Sequence, residues 1–208
     1  MSVQGSTRDN PTGDSLLALA LAAAAALLVF IHPAQGSATV VTYADLPDLV
    51  ELSDVVIRGE VTRRESHFDP AQGRLVTHTT FKVDRRYMGE TDETVTIEQW
   101  GGTNGETTST IPGDADFTVG QEVVVFLRYG PENGLYLTAL AQSKFSVHRT
   151  GQTPLVSRNL SKLVFLEESA DGQADRGATF HIDRETRRLD SFEAELRSLI
   201  YARRGGSQ

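Results

Sequence analysis

The alternation of apolar and polar residues is the dominant pattern of this chain. Between positions 55 and 147, several segments place apolar residues at every second position, which is the period of half-buried strands, whereas residues 122–127 are nearly all apolar, as in a strand that is buried on both faces. Five strands are predicted, at residues 55–61, 75–87, 94–100, 122–127 and 135–147. Clusters rich in Gly, Pro, Asp and Asn separate them and predict turns.

Five strands of this length predict a mainly β fold, namely a closed barrel of the oligonucleotide/oligosaccharide-binding (OB) type. The fifth predicted strand keeps Leu135, Ala141 and Val147 on one face, so we expect it to close the barrel against the first strand. Gly59 would supply the break that lets the first strand bend. Residues 101–120 are rich in Gly, Thr and Asp, which favours an irregular loop over a helix.

Two helices are predicted, one on each side of the strand-rich segment. The first is short, begins at the capping residue Asp45 and ends near Ser53. The second is amphipathic, with Asp190 as N-cap and Glu193 completing a capping box. Its apolar residues fall at helical spacing, so we expect it to pack on the barrel. These residues are Leu189, Phe192, Leu196, Leu199 and Ile200.

The segment between the barrel and the last helix has a weaker pattern. Two short apolar runs, at residues 155–156 and 163–166, favour one further hairpin. Residues 167–177 are predicted to form a polar loop.

Residues 16–31 form an uncharged apolar run that is followed by Ala34 and Gly36. The run is short for a membrane span, which needs roughly 20 apolar residues. It predicts a secretory signal over residues 1–36, cleaved after Gly36 or after Ala38. The protein is then secreted or periplasmic, with no stable membrane span after cleavage. An N-terminal membrane anchor is the alternative, because the leading segment has little positive bias.

Signal cleavage gives three predicted regions: the signal at 1–36, the barrel at 37–150 and a C-terminal extension at 151–208. The full chain has 20 basic and 28 acidic residues and a net charge of −8. Cleavage would remove Arg8, Asp9 and Asp14 and leave a net charge of −7. An acidic chain repels phosphate backbones, so no nucleic-acid partner is expected. The absence of cysteine excludes disulfides and thiolate chemistry.

No residue pattern in the chain predicts a catalytic, cofactor-binding or metal-binding site, and no cofactor is expected. The histidines after the signal have no metal-ligand spacing, although His67 and His78 flank the first hairpin and are expected to face each other. No Gly-x-Ser-x-Gly motif occurs.

Acidic residues in two loops offer calcium binding as an alternative to ordinary solvated carboxylates. Asp114 and Asp116 lie in the first loop with Glu106, and Asp171 and Asp175 lie in the second. Carboxylate oxygens are the ligands that calcium prefers, but neither loop has the EF-hand spacing, which favours solvated carboxylates.

Three residues are candidate protein-binding positions. Trp100, the single tryptophan, ends a strand beside a glycine-rich loop, where either a binding aromatic or a buried rim residue is expected. Asn104 lies within that loop, and Ser37 would become the N-terminus after cleavage.

Residues 53–147 resemble the barrel of the netrin-like module, which is best known from tissue inhibitors of metalloproteinases. The resemblance rests on residues 53–59, on residues 81–89 with their Tyr-x-Gly ending, and on the hairpin formed by residues 122–137. The chain is also similar to uncharacterised secreted bacterial proteins. Because those inhibitors chelate zinc through an N-terminal cysteine, which this chain lacks, the resemblance implies no inhibitory residue here.

The sequence as a whole predicts a secreted, non-enzymatic binding module of OB-like architecture whose partner is an unidentified protein. One alternative is a regulator or inhibitor-like companion of an extracellular metalloprotease, which the resemblance implies. A hydrolase with a dispersed site is the other alternative. The sequence does not define the oligomeric state.

Overall fold

The structure is a computed structural model that describes residues 39–168 and 174–206. The predicted signal peptide and Ser37 lie outside these residues. None of the helices in the described ranges is long and apolar enough to cross a membrane. The fold is mainly β, as predicted.

The strands and helices follow one another along the chain in an order dominated by β-structure. They are β1 (Thr39–Thr42), α1 (Leu46–Leu52), β2 (Val55–Asp69), β3 (Arg74–Met88), β4 (Thr94–Trp100), β5 (Gly102–Thr103), β6 (Thr108–Ser109), β7 (Glu122–Tyr129), β8 (Leu135–Leu137), β9 (Lys144–His148), β10 (Leu155–Asn159), β11 (Leu163–Glu168), β12 (Ala174–Phe180), β13 (Arg184–Arg188) and α2 (Leu189–Gly205).

Five strands are hydrogen-bonded in a ring. Strand β2 pairs with β3 and β7, β3 pairs with β4, and β8 pairs with both β4 and β7. One apolar cluster includes the inward-facing residues of these strands, among them Ile57, Phe81 and Ile97, which have no exposed surface. Beyond the ring the same sheet continues from β7 through β9 and β10 to β13.

Gly59 lies opposite a bulge in β3, where Asp84 is the extra residue, in agreement with the break predicted at Gly59. The register between β2 and β3 shifts between Arg58 and Gly59. A side chain at position 59 would place its Cβ 2.4 Å from the carbonyl oxygen of Lys82, so only glycine fits this close approach. The shift also reverses which face of the sheet the end of β3 presents. Val83 packs in the apolar cluster inside the ring, whereas Tyr87 packs in a second cluster, with the apolar residues of α2.

The prediction of one long fifth strand is wrong. Residues 135–148 divide into β8, a 3-10 turn at Leu140–Ser143, and β9. Leu140 has a positive φ of 52°, which a continuous strand cannot contain. The buried Gln142 side chain accepts from the Ala44 amide at 2.7 Å, so it holds the turn against the start of α1. As a result β8 closes the ring on β4, while β9 pairs with β7 and β10 rather than with β2.

The hairpin predicted from the apolar runs at 155–156 and 163–166 is also wrong. Strand β10 pairs with β9 and β13, whereas β11 runs parallel to β1 and pairs with β12 on its other side. The two strands do not pair because Leu163 and Phe165 of β11 are buried in the apolar cluster inside the ring. Part of the predicted polar loop, residues 174–177, belongs to β12.

Both predicted helices are present, but the second begins two residues earlier than predicted. Helix α1 has the Asp45 cap, completed by Asp48. Helix α2 begins at Leu189 with Arg188 as N-cap and has no side-chain cap. Its apolar face packs as predicted, with Phe192 and Leu196 fully buried against β7 and β9 residues.

Glu193 does not cap α2 because other groups bind its carboxylate. Its oxygens lie 2.6 Å from the Arg58 guanidinium, 3.1 Å from that of Arg85 and 2.5 Å from the Tyr87 hydroxyl, which donates to it. Burial alone would raise the pKa of Glu193, but the Tyr87 hydrogen bond and the two arginine charges lower it overall. We call Glu193, Arg58, Arg85 and Tyr87 the helix-side network.

Candidate functional site

The ring is weakly closed at one seam, and a groove opens there. Strands β4 and β8 share a single pairing, Ile97 with Leu135, and then separate. The space between them, about 840 Å³, lies in the volume range of typical ligand sites. We call it the seam groove. It is lined by the end of β4, the β2–β3 turn, β7, β8 and the chain around Asp114.

Aromatic side chains line both walls of the seam groove. Trp100 on β4 is 51 % exposed and Tyr129 at the end of β7 is 49 % exposed. Tyr136 lies over Gly130, where a Cβ would come within 2.4 Å of its ring, so glycine makes room for it. Aromatic rings that remain accessible in a concave site are the residues that most often anchor a partner.

The Trp100 ring already contacts one cation of the protein. The Arg74 guanidinium carbon lies 4.3 Å from the ring centroid, in cation–π geometry. The contact ties β3 to the end of β4 and orients the indole, while half of the Trp100 surface stays exposed to the groove.

Glu98 lies in the groove beside a pair of histidines. Its carboxylate accepts from the Gln72 amide at 3.2 Å and lies 3.4 Å from Nε2 of His78. The rings of His67 and His78 are 5.2 Å apart, so the prediction that these histidines face each other is confirmed. Glu98 therefore already has polar neighbours.

Asp114 is a partly buried carboxylate of the groove, and the charge of Arg64 and a hydrogen bond with the Gln99 side chain offset the effect of its burial in part. It lines the seam groove and also two smaller cavities beside it, of about 200 and 90 Å³. Its Oδ1 accepts from the Ala115 amide at 2.8 Å, and no ion pair to it is found among the described residues. Burial raises the pKa of Asp114, which means that its charge is disfavoured where it lies.

The segment that carries Asp114 is held in place from two sides. The buried Gln99 side chain donates to the carbonyl of Ala115 at 2.8 Å. The amide of Ala141 donates to the carbonyl of Gly113 at 3.1 Å. These bonds fix the position of Asp114 relative to both β4 and the turn after β8.

The smaller cavity behind Asp114 contains a partly buried lysine. Lys144 donates to the carbonyl of Asp116 and lies 4.8 Å from the ring centroid of Phe117. Burial lowers its pKa to about 8. Asp116 is also bound by Lys162, at 3.0 Å, so this carboxylate has an ion pair, whereas none to Asp114 is found in the described part of the chain.

The three candidate binding residues do not come together. Trp100 lies in the seam groove, half exposed. Asn104 lies at the tip of the β5–β6 hairpin, where its Oδ1 accepts from the amides of Glu106 and Thr107, so its side chain stabilises its own turn. Ser37 is outside the described residues.

Sequence reasoning did not select Glu98 or Tyr129 for the groove, and it considered Asp114 only as a calcium ligand. The sequence around Tyr129 did contain a usable pattern. An aromatic residue that ends an apolar strand just before a Gly-Pro turn is expected at the edge of the sheet, where it can remain exposed. Glu98 and Asp114 could not be placed, since the groove depends on how β8 meets β4.

Other chemically suggestive groups do not form a second site. Nε2 of His148 lies 2.8 Å from Oγ of Ser157, but Ser157 is buried and the described cavities do not include either residue. Within residues 39–168 and 174–206, no His, Asp and Glu side chains gather into a group that could hold a metal ion. Asp171 and the side chain of Asp175 lie outside the described part of the chain.

No protein-family model matches the sequence, and no curated protein is significantly similar to it.

Proposed function

We propose that this protein is a secreted, non-enzymatic binding module that recognises a partner protein through the seam groove. The observation that carries the proposal is the combination, in one concave surface, of the exposed rings of Trp100 and Tyr129 with the carboxylate of Asp114. Aromatic anchors beside a charged group are typical of protein-binding sites.

The proposal includes an OB-like barrel similar to the netrin-like module. The five-stranded ring and the bulge opposite Gly59 support this architecture. The position of the groove supports it as well, because OB folds bind ligands between the first hairpin turn and the turn before their last strand. Here the residues of those two turns, including Gln72 and Pro131, line opposite ends of the groove.

The charge of the groove favours a basic protein segment over a nucleic acid. Asp69, Glu98 and Asp114 line it together with one arginine, Arg128. The whole chain has a net charge of −8. A phosphate backbone would meet repulsion from both the groove and the rest of the surface, whereas lysine or arginine side chains would be attracted.

A capture experiment tests the proposal directly. The purified protein is immobilised and exposed to its native medium, in parallel with the double variant Trp100→Ala/Tyr129→Ala and with the control Tyr201→Ala. Tyr201 is 81 % exposed on α2 and does not line the groove. We expect one set of proteins to be retained by the wild type and by the control but lost from the double variant. Equal retention by all three would contradict the proposal.

Activity assays on the same preparations separate the alternatives. Inhibition of metalloproteases without turnover would identify the protease companion that the netrin-like resemblance implies. Turnover of hydrolase substrates that is abolished by changing His148 or His78 would identify an enzyme and would contradict the binding module. We expect neither inhibition nor turnover.

A further inference from the structure

The backbone of β4 has hydrogen-bonding groups that face the seam groove. The Gly101 amide bonds to the Leu75 carbonyl, and the Val83 amide to the Glu93 carbonyl. In an antiparallel ladder the bonded pairs alternate, so the odd-numbered residues of β4 direct their backbone groups to β3. The even-numbered residues therefore direct theirs to the opposite edge, where only the Ile97–Leu135 pairing joins β4 to β8.

The same alternation applies to β8 on the other wall. The Gly130 amide bonds to the Gly134 carbonyl, and the Thr138 amide to the Phe126 carbonyl. The even-numbered residues of β8 thus bond to β7, and Leu135 and Leu137 face β4. Leu135 uses its groups at the single pairing with β4, which leaves the amide and carbonyl of Leu137 directed into the groove.

Two open strand edges therefore face each other across one groove. The carbonyl of Glu98 and both backbone groups of Trp100 lie on one side, and both groups of Leu137 lie on the other. Within the described residues, no strand pairing between β4 and β8 beyond Ile97 with Leu135 engages these groups. Open edges of this kind are templates for another strand, and proteins usually cover or charge them.

We infer that the seam groove receives an extended segment of the partner protein as an added β-strand between β4 and β8, with a lysine or arginine side chain placed against Asp114. This inference rests on the proposed function and specifies the ligand of the same groove. Side chains alternate along a strand, so the segment should have basic and apolar residues at alternate positions.

A displayed library of linear dodecapeptides is the probe. Peptides are selected on the intact protein, and Trp100 reports binding through its fluorescence because it is the only tryptophan. We expect selected peptides to have lysine or arginine alternating with apolar residues. Asp114→Asn should weaken them roughly tenfold or more, as loss of a charge-assisted bond does. Tyr201→Ala, outside the groove, should bind them like the wild type.

Two measurements on backbone amides distinguish an added β-strand from a peptide that binds through its side chains alone. Bound peptide should slow hydrogen exchange at the amides of Trp100 and Leu137, and N-methylation of every second peptide amide should abolish binding. Peptides that bind in a Trp100-dependent manner without protecting these amides would overturn strand addition and leave the binding module intact. A library without such binders would also overturn it, whereas failure of the capture experiment would overturn the binding module itself.

Protection of the same two amides in peptide-free protein, rising with protein concentration, would assign the open edges to a second copy of this chain. That outcome would overturn the inferred partner, and sedimentation of the peptide-free protein would detect it.

Discussion

The helix side of the ring and the seam groove belong to one sheet but differ in how their charged groups are paired. On the helix side, the Glu193 carboxylate is bound by Arg58, Arg85 and the Tyr87 hydroxyl beneath α2. In the groove, Asp114 forms no ion pair with a described residue, and β4 and β8 share a single pairing.

This difference separates residues that hold the fold from residues that are available to a ligand. Breaking the pairing on the helix side should cost stability, because buried charges would lose their partners. Changing the groove should cost little stability, since few of its interactions are completed within the chain. Partly buried charge and exposed aromatic surface are retained at a functional site in spite of their cost to folding.

Glu193→Gln should have the largest effect on stability. Removing this charge takes from Arg58 and Arg85 a shared, largely buried carboxylate. Arg58 keeps Glu122 at 3.3 Å and Arg85 is nearly half exposed, so we expect a loss of about 2 kcal/mol in the free energy of unfolding. Urea denaturation measures the loss. The control is Glu195→Gln, two residues along α2, whose exposed ion pair with Arg187 should contribute less than about 1 kcal/mol. Equal effects of the two substitutions would show that the helix-side network is not the stabilising element.

Trp100→Ala should reduce partner binding strongly and the free energy of unfolding only slightly. Its ring is half exposed, so we expect the free energy of unfolding to fall by no more than about 1 kcal/mol, mainly through the lost contact with Arg74. Partner binding should fall roughly tenfold or more, as is typical for an aromatic anchor. Urea denaturation and affinity capture on the same preparation give both numbers. A variant that unfolds as readily as Glu193→Gln would place Trp100 in the core rather than in a binding surface.

Asp114→Asn should stabilise the protein. Because burial raises the pKa of Asp114 above its ordinary 3.8, the folded state binds a proton more readily than the unfolded state in that range. Wild-type stability should therefore fall as pH rises from 3.8 through the raised pKa, whereas the asparagine variant lacks this term. At neutral pH we expect a gain of about 0.5 kcal/mol or more.

The matched control for this substitution is Asp116→Asn, which removes a carboxylate that has Lys162 as its cation. It should not stabilise the protein. Denaturation curves between pH 3 and 7 measure both variants, and a pH-independent difference between Asp114→Asn and the wild type would contradict the assigned pKa shift.

Lys144→Met should change the pH dependence of stability, and only at alkaline pH. The lysine has a pKa of about 8 in the folded state and an ordinary 10.5 when unfolded. Between these values the unfolded state binds more protons, so this residue makes wild-type stability rise with pH there. We expect the stability of wild type relative to Lys144→Met to increase from pH 8 to pH 10.5. A constant difference across this range would show that Lys144 is not held in a desolvated position.

Local patterns predicted the parts of the fold that depend on neighbours in sequence. Apolar alternation and short apolar runs predicted the first four strands, and the spacing of Phe192, Leu196 and Ile200 predicted the buried face of α2. Gly59 was identified as a break because glycine in a strand is a local signal. In each case the physical cause acts within a few residues of the feature that it produces.

The failed predictions concern residues whose surroundings come from distant parts of the chain. Leu140 keeps the apolar alternation of a strand, yet it adopts a positive φ in a turn that Gln142 holds against Ala44. Glu193 has the spacing of a capping box, but Tyr87 and Arg58, more than 100 residues away, bind its carboxylate. The groove itself follows from the division of the predicted fifth strand, so its carboxylates could not be located in advance.

Hydrogen exchange of individual backbone amides in the ligand-free protein, followed by NMR, examines the open seam most directly. Gln99 and Tyr136 direct their amides to β3 and β7, and Trp100 and Leu137 direct theirs into the groove. We predict slow exchange at Gln99 and Tyr136 and much faster exchange at Trp100 and Leu137, in an alternation along each strand. Equal protection of neighbouring residues in dilute protein would mean that the seam is closed, and it would contradict the groove as a binding site.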